Sequence, residues 1–164
     1  MTLLPTSPPL ARALAERNFD RLTQVQTAVL ADDADGRDLL VSAQTGSGKT
    51  VAYGLAIASN LLDGAERFER AATASVAHVE ENVGAGRLDV DGAWLYQHAD
   101  ARVVSCVGGM DPRREQRELA AGAHIVVGTP GRLCDHLRRG RLDVSELKAI
   151  VLDEADEMLD LGFR

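Results

Sequence analysis

Asp38-Leu39-Leu40-Val41-Ser42, running straight into Ala43-Gln44-Thr45-Gly46-Ser47-Gly48-Lys49-Thr50, decides the fold class. A short apolar run breaks into a glycine-rich loop, and the apolar residues after Lys49 recur at helical spacing to about Leu62. Strand, loop and helix in that order is the context that a phosphate-binding loop requires. Its glycines let backbone N–H groups converge on phosphate oxygens, and the helix N-terminus adds partial positive charge. In that reading Lys49 reaches the β- and γ-phosphates of a nucleotide, and Thr50 offers its hydroxyl to Mg2+. A bare Gly-Lys-Thr would be an ordinary turn; the full string in this setting is much more specific.

Downstream, apolar runs at Val103 to Val107, Ile125 to Val127 and Ile150 to Leu152 read as central strands, with helices near Pro112 to Ala121 and Pro130 to Arg139 between them. Strands alternating with helices imply right-handed crossovers and a mainly parallel sheet, hence an α/β fold. Upstream, residues 1–9 read as an extended leader, a first helix ends near Asn18, and Thr23 caps a second helix through Leu30. Residues 10–164 then form one domain, consistent with the 164-residue length.

The last strand runs into Asp153-Glu154-Ala155-Asp156, which places carboxylates at a strand's carboxyl end, where α/β folds carry ligand groups. Asp153 there suits magnesium held through its water shell, and Glu154 suits orientation or deprotonation of an attacking water. The plainer alternative is that both cap the following helix. The phosphate loop upstream tips the balance toward Lys49, Asp153 and Glu154 as catalytic residues.

Composition narrows the partners. A formal charge of −7 argues against general polyanion binding, so any nucleic-acid site is a local patch. A basic surplus runs from Arg102 through Arg113, Arg114, Arg117, Arg132, Arg138, Arg139 and Arg141, and solvated helix faces account for it equally well. No apolar stretch approaches a membrane span and no basic-then-apolar N-terminal segment is present, so a cytoplasmic protein is expected. Cys106 and Cys134 have no partners at zinc-ligand spacing and read as buried thiols. His78, His98, His124 and His136 receive no role. Trp94 and Tyr96 suit base stacking, although packing of a helix on its sheet is the commoner use of such a pair.

Ala-Gln-Thr-Gly-Ser-Gly-Lys-Thr together with Asp-Glu-Ala-Asp resembles the DEAD-box family of ATP-dependent RNA helicases. The resemblance implies a RecA-like P-loop fold, a three-layer sandwich, that binds ATP and Mg2+ and couples hydrolysis to RNA unwinding or remodelling. Phe19, Thr23 and Gln26 fall where the family's Q motif reads adenine, with Gln26 as the base-edge partner. Leu22 and Gln24 replace prolines common there, which weakens the case for base selectivity. Gly108-Gly109 matches the family's double glycine and Thr129-Pro130-Gly131-Arg132 its motif Ib; both imply contact with the RNA backbone. Met158 to Phe163 is the usual continuation beyond the acidic motif.

The resemblance covers roughly residues 10–64 and 94–164 and fails between them. The family's motif Ia, Pro-Thr-Arg-Glu-Leu at the end of a strand, is absent, and the atypical segment at about 65–93 shows no clear strand. Two compensating frameshifts or a diverged loop would explain it, and a gap in the sheet is the expected consequence. The chain also stops before the family's Ser-Ala-Thr motif and before the second RecA-like domain, whose arginine finger is worth roughly 10³ to 10⁵ in rate. The expectation is therefore a C-terminally truncated ATP-binding domain, inactive alone. A non-catalytic ATP-binding module and a non-functional gene product remain the alternatives.

Overall fold

The computed structural model describes residues 6–44, 46–68, 76–79 and 93–160. The chain divides into two compact units, residues 1–68 with 91–101, and residues 69–90 with 102–164.

The first unit is helical among its described residues. Pro8 and Pro9 do not belong to an extended leader: Ser7 is the N-cap and Pro8 begins α1, Pro8–Glu16. The proline ring already holds the helical φ, and its missing N–H is not needed in the first turn. Leu10, Ala13 and Leu14 are fully buried where α1 packs on a 3-10 helix, Ala93–Ala99, whose Leu95, Tyr96 and Ala99 are buried in turn. The α1 helix ends in a Schellman arrangement. Asn18 adopts φ 60°, and the N–H groups of Asn18 and Phe19 donate to Ala15 O and Leu14 O at 3.1 and 3.0 Å.

Thr23 caps α2, Gln24–Val29, as its sequence predicts, and α2 packs on α3, Lys49–Ala56. The expected single helix from Lys49 to Leu62 is interrupted at Ile57, and α4 covers Ala58–Leu62. The expected strand at Asp38–Ser42 does not form. Leu40 is 98% exposed, and no described strand pairs with this run. An apolar sequence becomes a strand only where a neighbouring edge supplies hydrogen-bond partners.

The second unit is a parallel four-stranded sheet in the order β2-β3-β1-β4, from β1 Val76–Val79, β2 Val103–Cys106, β3 Ile125–Gly128 and β4 Ala149–Leu152. The expected gap is thus filled by the atypical segment itself. The β1 strand pairs with β3 on one side and β4 on the other, Val79 standing level with both Gly128 and Leu152. Sheet pairing is a backbone property, and β-branched Val76 and Val79 meet it without the expected motif. Two expected central strands lie at edges among the described residues: there β2 pairs only with β3, and β4 only with β1. Accordingly β4 leaves Ile150 and Leu152 60% and 59% exposed, while β3 is buried throughout.

The core of this unit joins Val104, Cys106, Val126, Leu133, Leu119, Ala123 and Leu142. It draws on the strands, on α5 Pro112–Ala120 and on α6 Pro130–Arg138. Gly128 is required by close approach, since a Cβ there would stand 2.3 Å from Cys106 O.

Because β1 is paired on both sides, Ala77→Pro removes a ladder hydrogen bond inside the sheet. The substitution is expected to abolish or strongly depress the cooperative unfolding of the second unit, measured by urea denaturation. An unchanged midpoint would show that residues 76–79 do not fill the sheet.

Candidate nucleotide and RNA sites

In the first unit the glycine loop is anchored to α2 by the Gln26 side chain. Gln26 is fully buried, and its amide oxygen accepts from Thr23 N–H at 3.0 Å while its Nε2 donates to Gly48 O at 3.2 Å. The first of these bonds completes a capping box, with Thr23 Oγ1 accepting from Gln26 N–H. The second fixes the loop. Gly46 and Gly48 have φ 80° and 89°, a region open to glycine, and a Cβ on Gly48 would lie 2.5 Å from Gln26 Nε2. Gly48 is therefore required both by its backbone and by its neighbour.

Gly48 is also the N-cap of α3, so Lys49 and Thr50 open that helix. Lys49 Nζ donates to Ala43 O at 2.6 Å, closing the loop on itself. The Ser47 hydroxyl is buried and has no hydrogen-bond partner among the described residues. Such a polar atom beside left-handed glycines and a helix N-terminus fits an anion that accepts hydrogen bonds. Gln44 is exposed, and Thr45 lies outside the described residues.

Phe19 stands on the C-terminal cap of α1. Its ring stacks on Trp94 with centroids 5.7 Å apart and an interplanar angle of 25°, and the Arg17 guanidinium lies 4.4 Å from the Trp94 ring centre. Trp94 is half-buried, whereas Tyr96 packs in the core and donates its hydroxyl to Gly54 O. Of the expected pair, Tyr96 packs in the core, and Trp94 stacks on a side chain of its own chain, Phe19. His98 and Gln97 both bind the Glu16 carboxylate, at 2.8 and 2.9 Å, and the His98 contact holds that carboxyl below its usual range.

In the second unit, parallel register sets the remaining motifs at one edge. Cys106 of β2 stands level with Gly128 of β3, and Gly128 and Leu152 are both level with Val79. Gly108-Gly109, Thr129 to Arg132, and Asp153-Glu154 follow these strand ends directly. Gly108 and Gly109 are exposed, and Gly109 has φ 85°. Thr129 is the N-cap of α6 but makes no side-chain capping bond, and Pro130 and Gly131 follow in its first turn. Asp153 Oδ1 accepts from Glu154 N–H at 3.0 Å, and Glu154 itself has φ 52°. Outside glycine such a conformation costs about 1–3 kcal/mol and is concentrated at functional sites.

Arg132 differs in surroundings from its neighbours. Its Nε donates to Glu115 Oε2 at 2.7 Å, and its side chain is only 19% exposed. His136 donates from Nε2 to the same oxygen at 2.6 Å and is fully buried, so the histidine given no role belongs to a buried charge network. Cys106 lies within reach of Glu115 and His136, but Arg132 already balances the carboxylate and the hydrogen bonds are short. The group reads as an ion-pair network and not as a metal site. Burial, with Glu115 beside it, pushes the Cys106 thiol up to about 12, whereas Cys134 is exposed. Spacing alone carried a usable signal here: Glu115 and Leu119, and Arg132 and His136, are each four residues apart on one helix face. The meeting of those faces is visible only in three dimensions. The other arginines include surface pairs, Arg114 with Glu118 and Arg139 with Asp135, as solvated helix faces require.

A family model for the DEAD/DEAH box helicases matches residues 23–164. The chain belongs to that family. It is 40% identical over 155 residues to the ATP-dependent RNA helicase DeaD of Klebsiella pneumoniae, covering 94% of this chain and 24% of that one. It is 33% identical over 160 residues to the DEAD-box ATP-dependent RNA helicase CshA of Bacillus cereus, covering 98% and 30%. Among solved structures, the yeast DEAD-box splicing factor Prp28 matches with a TM-score of 0.80 at 27% identity, over 97% of this chain and 39% of that one. A hypothetical ATP-dependent RNA helicase from Sulfolobus tokodaii matches with a TM-score of 0.76 at 30% identity, over 94% and 43%. The chain thus spans only 24% and 30% of the length of these curated relatives. Among the described residues of this family member, no helix is long and apolar enough to cross a membrane.

Breaking a buried ion pair from one side leaves the other charge uncompensated and costs about 3–5 kcal/mol. Glu115→Ala is expected to destabilise the second unit by that amount, and Glu115→Gln by less, in urea denaturation. Native thiol titration at pH 8 is expected to find Cys134 fast and Cys106 unreactive until the chain unfolds; two fast thiols would contradict the burial of Cys106.

Proposed function

We propose that this chain is the ATP-binding RecA-like part of an ATP-dependent RNA helicase, in which ATP hydrolysis is coupled to RNA duplex unwinding or remodelling. The observation that carries the reading is the Gln26-to-Gly48 hydrogen bond, which joins the family's adenine-reading motif to its phosphate loop.

Ala43 to Thr50 hold the phosphates, with Lys49 exchanging its bond to Ala43 O for the β- and γ-phosphate oxygens. Phe19, Thr23 and Gln26 serve the adenine end. Thr50 and Asp153 are hard oxygen donors of the kind magnesium takes, and the ion supplies charge neutralisation on the phosphates. Glu154 orients the attacking water and accepts its proton. Gly108, Gly109, Thr129, Pro130 and Gly131 contact the RNA sugar and phosphate backbone, independently of sequence. Arg132 contributes chiefly through Glu115, because its Nε is committed there. Turnover requires a second RecA-like domain, and the setting is the cytoplasm.

Calorimetric titration of the chain with ATP and Mg2+ is expected to show saturable binding, weakened at least about tenfold, or 1.4 kcal/mol, by Lys49→Ala. RNA-stimulated phosphate release is expected to stay at background until a second domain is supplied. Equal ATP affinity in both proteins, or strand separation by the chain alone, would contradict the proposal.

A further inference from the structure

We infer that Trp94 is a positioning residue for adenine: it backs one face of the Phe19 ring and so fixes the surface on which the base stacks. The inference rests on the reading of Phe19 given above and adds a residue to it.

The stack is built from both ends. Phe19 is placed by the cap of α1, where left-handed Asn18 turns the chain and Phe19 N–H returns to Leu14 O at 3.0 Å. Trp94 is placed by the 3-10 helix, which is locked on several sides. Leu95 and Ala99 are fully buried, and the Tyr96 hydroxyl binds Gly54 O. Gln97 and His98 grip Glu16 at the end of α1. Gly54 packs closely on the 3-10 helix, since a Cβ there would meet Leu95 Cδ2 at 2.8 Å and that side chain would have to shift.

Gly54 belongs to α3, the helix that Lys49 and Thr50 open. The wall behind Phe19 is thereby tied to the same helix as the phosphate loop. The Arg17 guanidinium lies 4.4 Å from the Trp94 ring centre, a cation–π contact that further restrains the indole. Phe19 and Trp94 are both only half-buried. A ring held from behind loses little conformational freedom when a base stacks on its open face, and that preorganisation appears as affinity. A core role for Trp94 would instead bury it like Leu95 and Tyr96.

Trp94 is the single tryptophan of the chain, so its emission reports this stack alone. The test is titration of the chain with ATP and, separately, with inorganic triphosphate, which has no base, following Trp94 fluorescence and calorimetric affinity. ATP is expected to change the emission saturably at its calorimetric midpoint, and triphosphate to bind without changing it. Trp94→Ala is expected to weaken ATP about fivefold while leaving triphosphate affinity unchanged, and Trp94→Phe to restore most of the ATP affinity. Equal weakening of both ligands by Trp94→Ala would assign a merely structural role and overturn the inference. So would unchanged ATP affinity, or emission that responds to a single-stranded RNA and not to ATP. If neither ligand binds, the ATP-binding reading falls and the inference with it; if ATP binds and Trp94 is silent, only the inference falls.

Discussion

The glycine loop of this protein depends on one buried amide. Gln26 holds Thr23 N–H with its oxygen and Gly48 O with its nitrogen, so a single side chain both starts α2 and fixes the loop before α3. A buried amide left without partners would cost roughly 1–3 kcal/mol, so the geometry is strongly selected once Gln26 is inside. Gly48 answers the same constraint: its φ of 89° strains any other residue, and a Cβ would displace Gln26 Nε2 from its hydrogen bond. The start of α3, and with it Lys49 and Thr50, follows from that placement.

The second unit solves a different problem, the alignment of short motifs far apart in sequence. Parallel pairing with level registers does this, because the turn after each strand emerges at the same edge. The Glu115 carboxylate then ties α5 to α6 through Arg132 and His136, which sets the start of α6 where Thr129, Pro130 and Gly131 lie. An acidic protein can address a polyanion only through such local geometry, since its long-range field is repulsive.

Local chemistry was legible in the sequence. The glycine loop, the Thr23 cap and the acidic turn after β4 are each specified by residues within a few positions, through left-handed glycines, a capping box and a strained Glu154. Pairing was not legible. Leu39 to Val41 are as apolar as a strand requires, yet no described strand pairs with them, while Val76 to Val79, in a segment lacking the expected motif, sit between two strands. Whether an edge is available is decided elsewhere in the chain. Glu115, Arg132 and His136 were unreadable as a group for the same reason, and so was the meeting of Phe19 with Trp94.

The most direct measurement of the central claim is ATP affinity in Gln26→Leu, which keeps a buried side chain of similar bulk and removes both hydrogen bonds. The loop should lose its anchor, so ATP binding is predicted to weaken at least about tenfold, some 1.4 kcal/mol, with the cooperative unfolding transition retained. Affinity within about twofold of wild type, or about 0.4 kcal/mol on the same scale, would contradict the claim that Gln26 holds the phosphate loop.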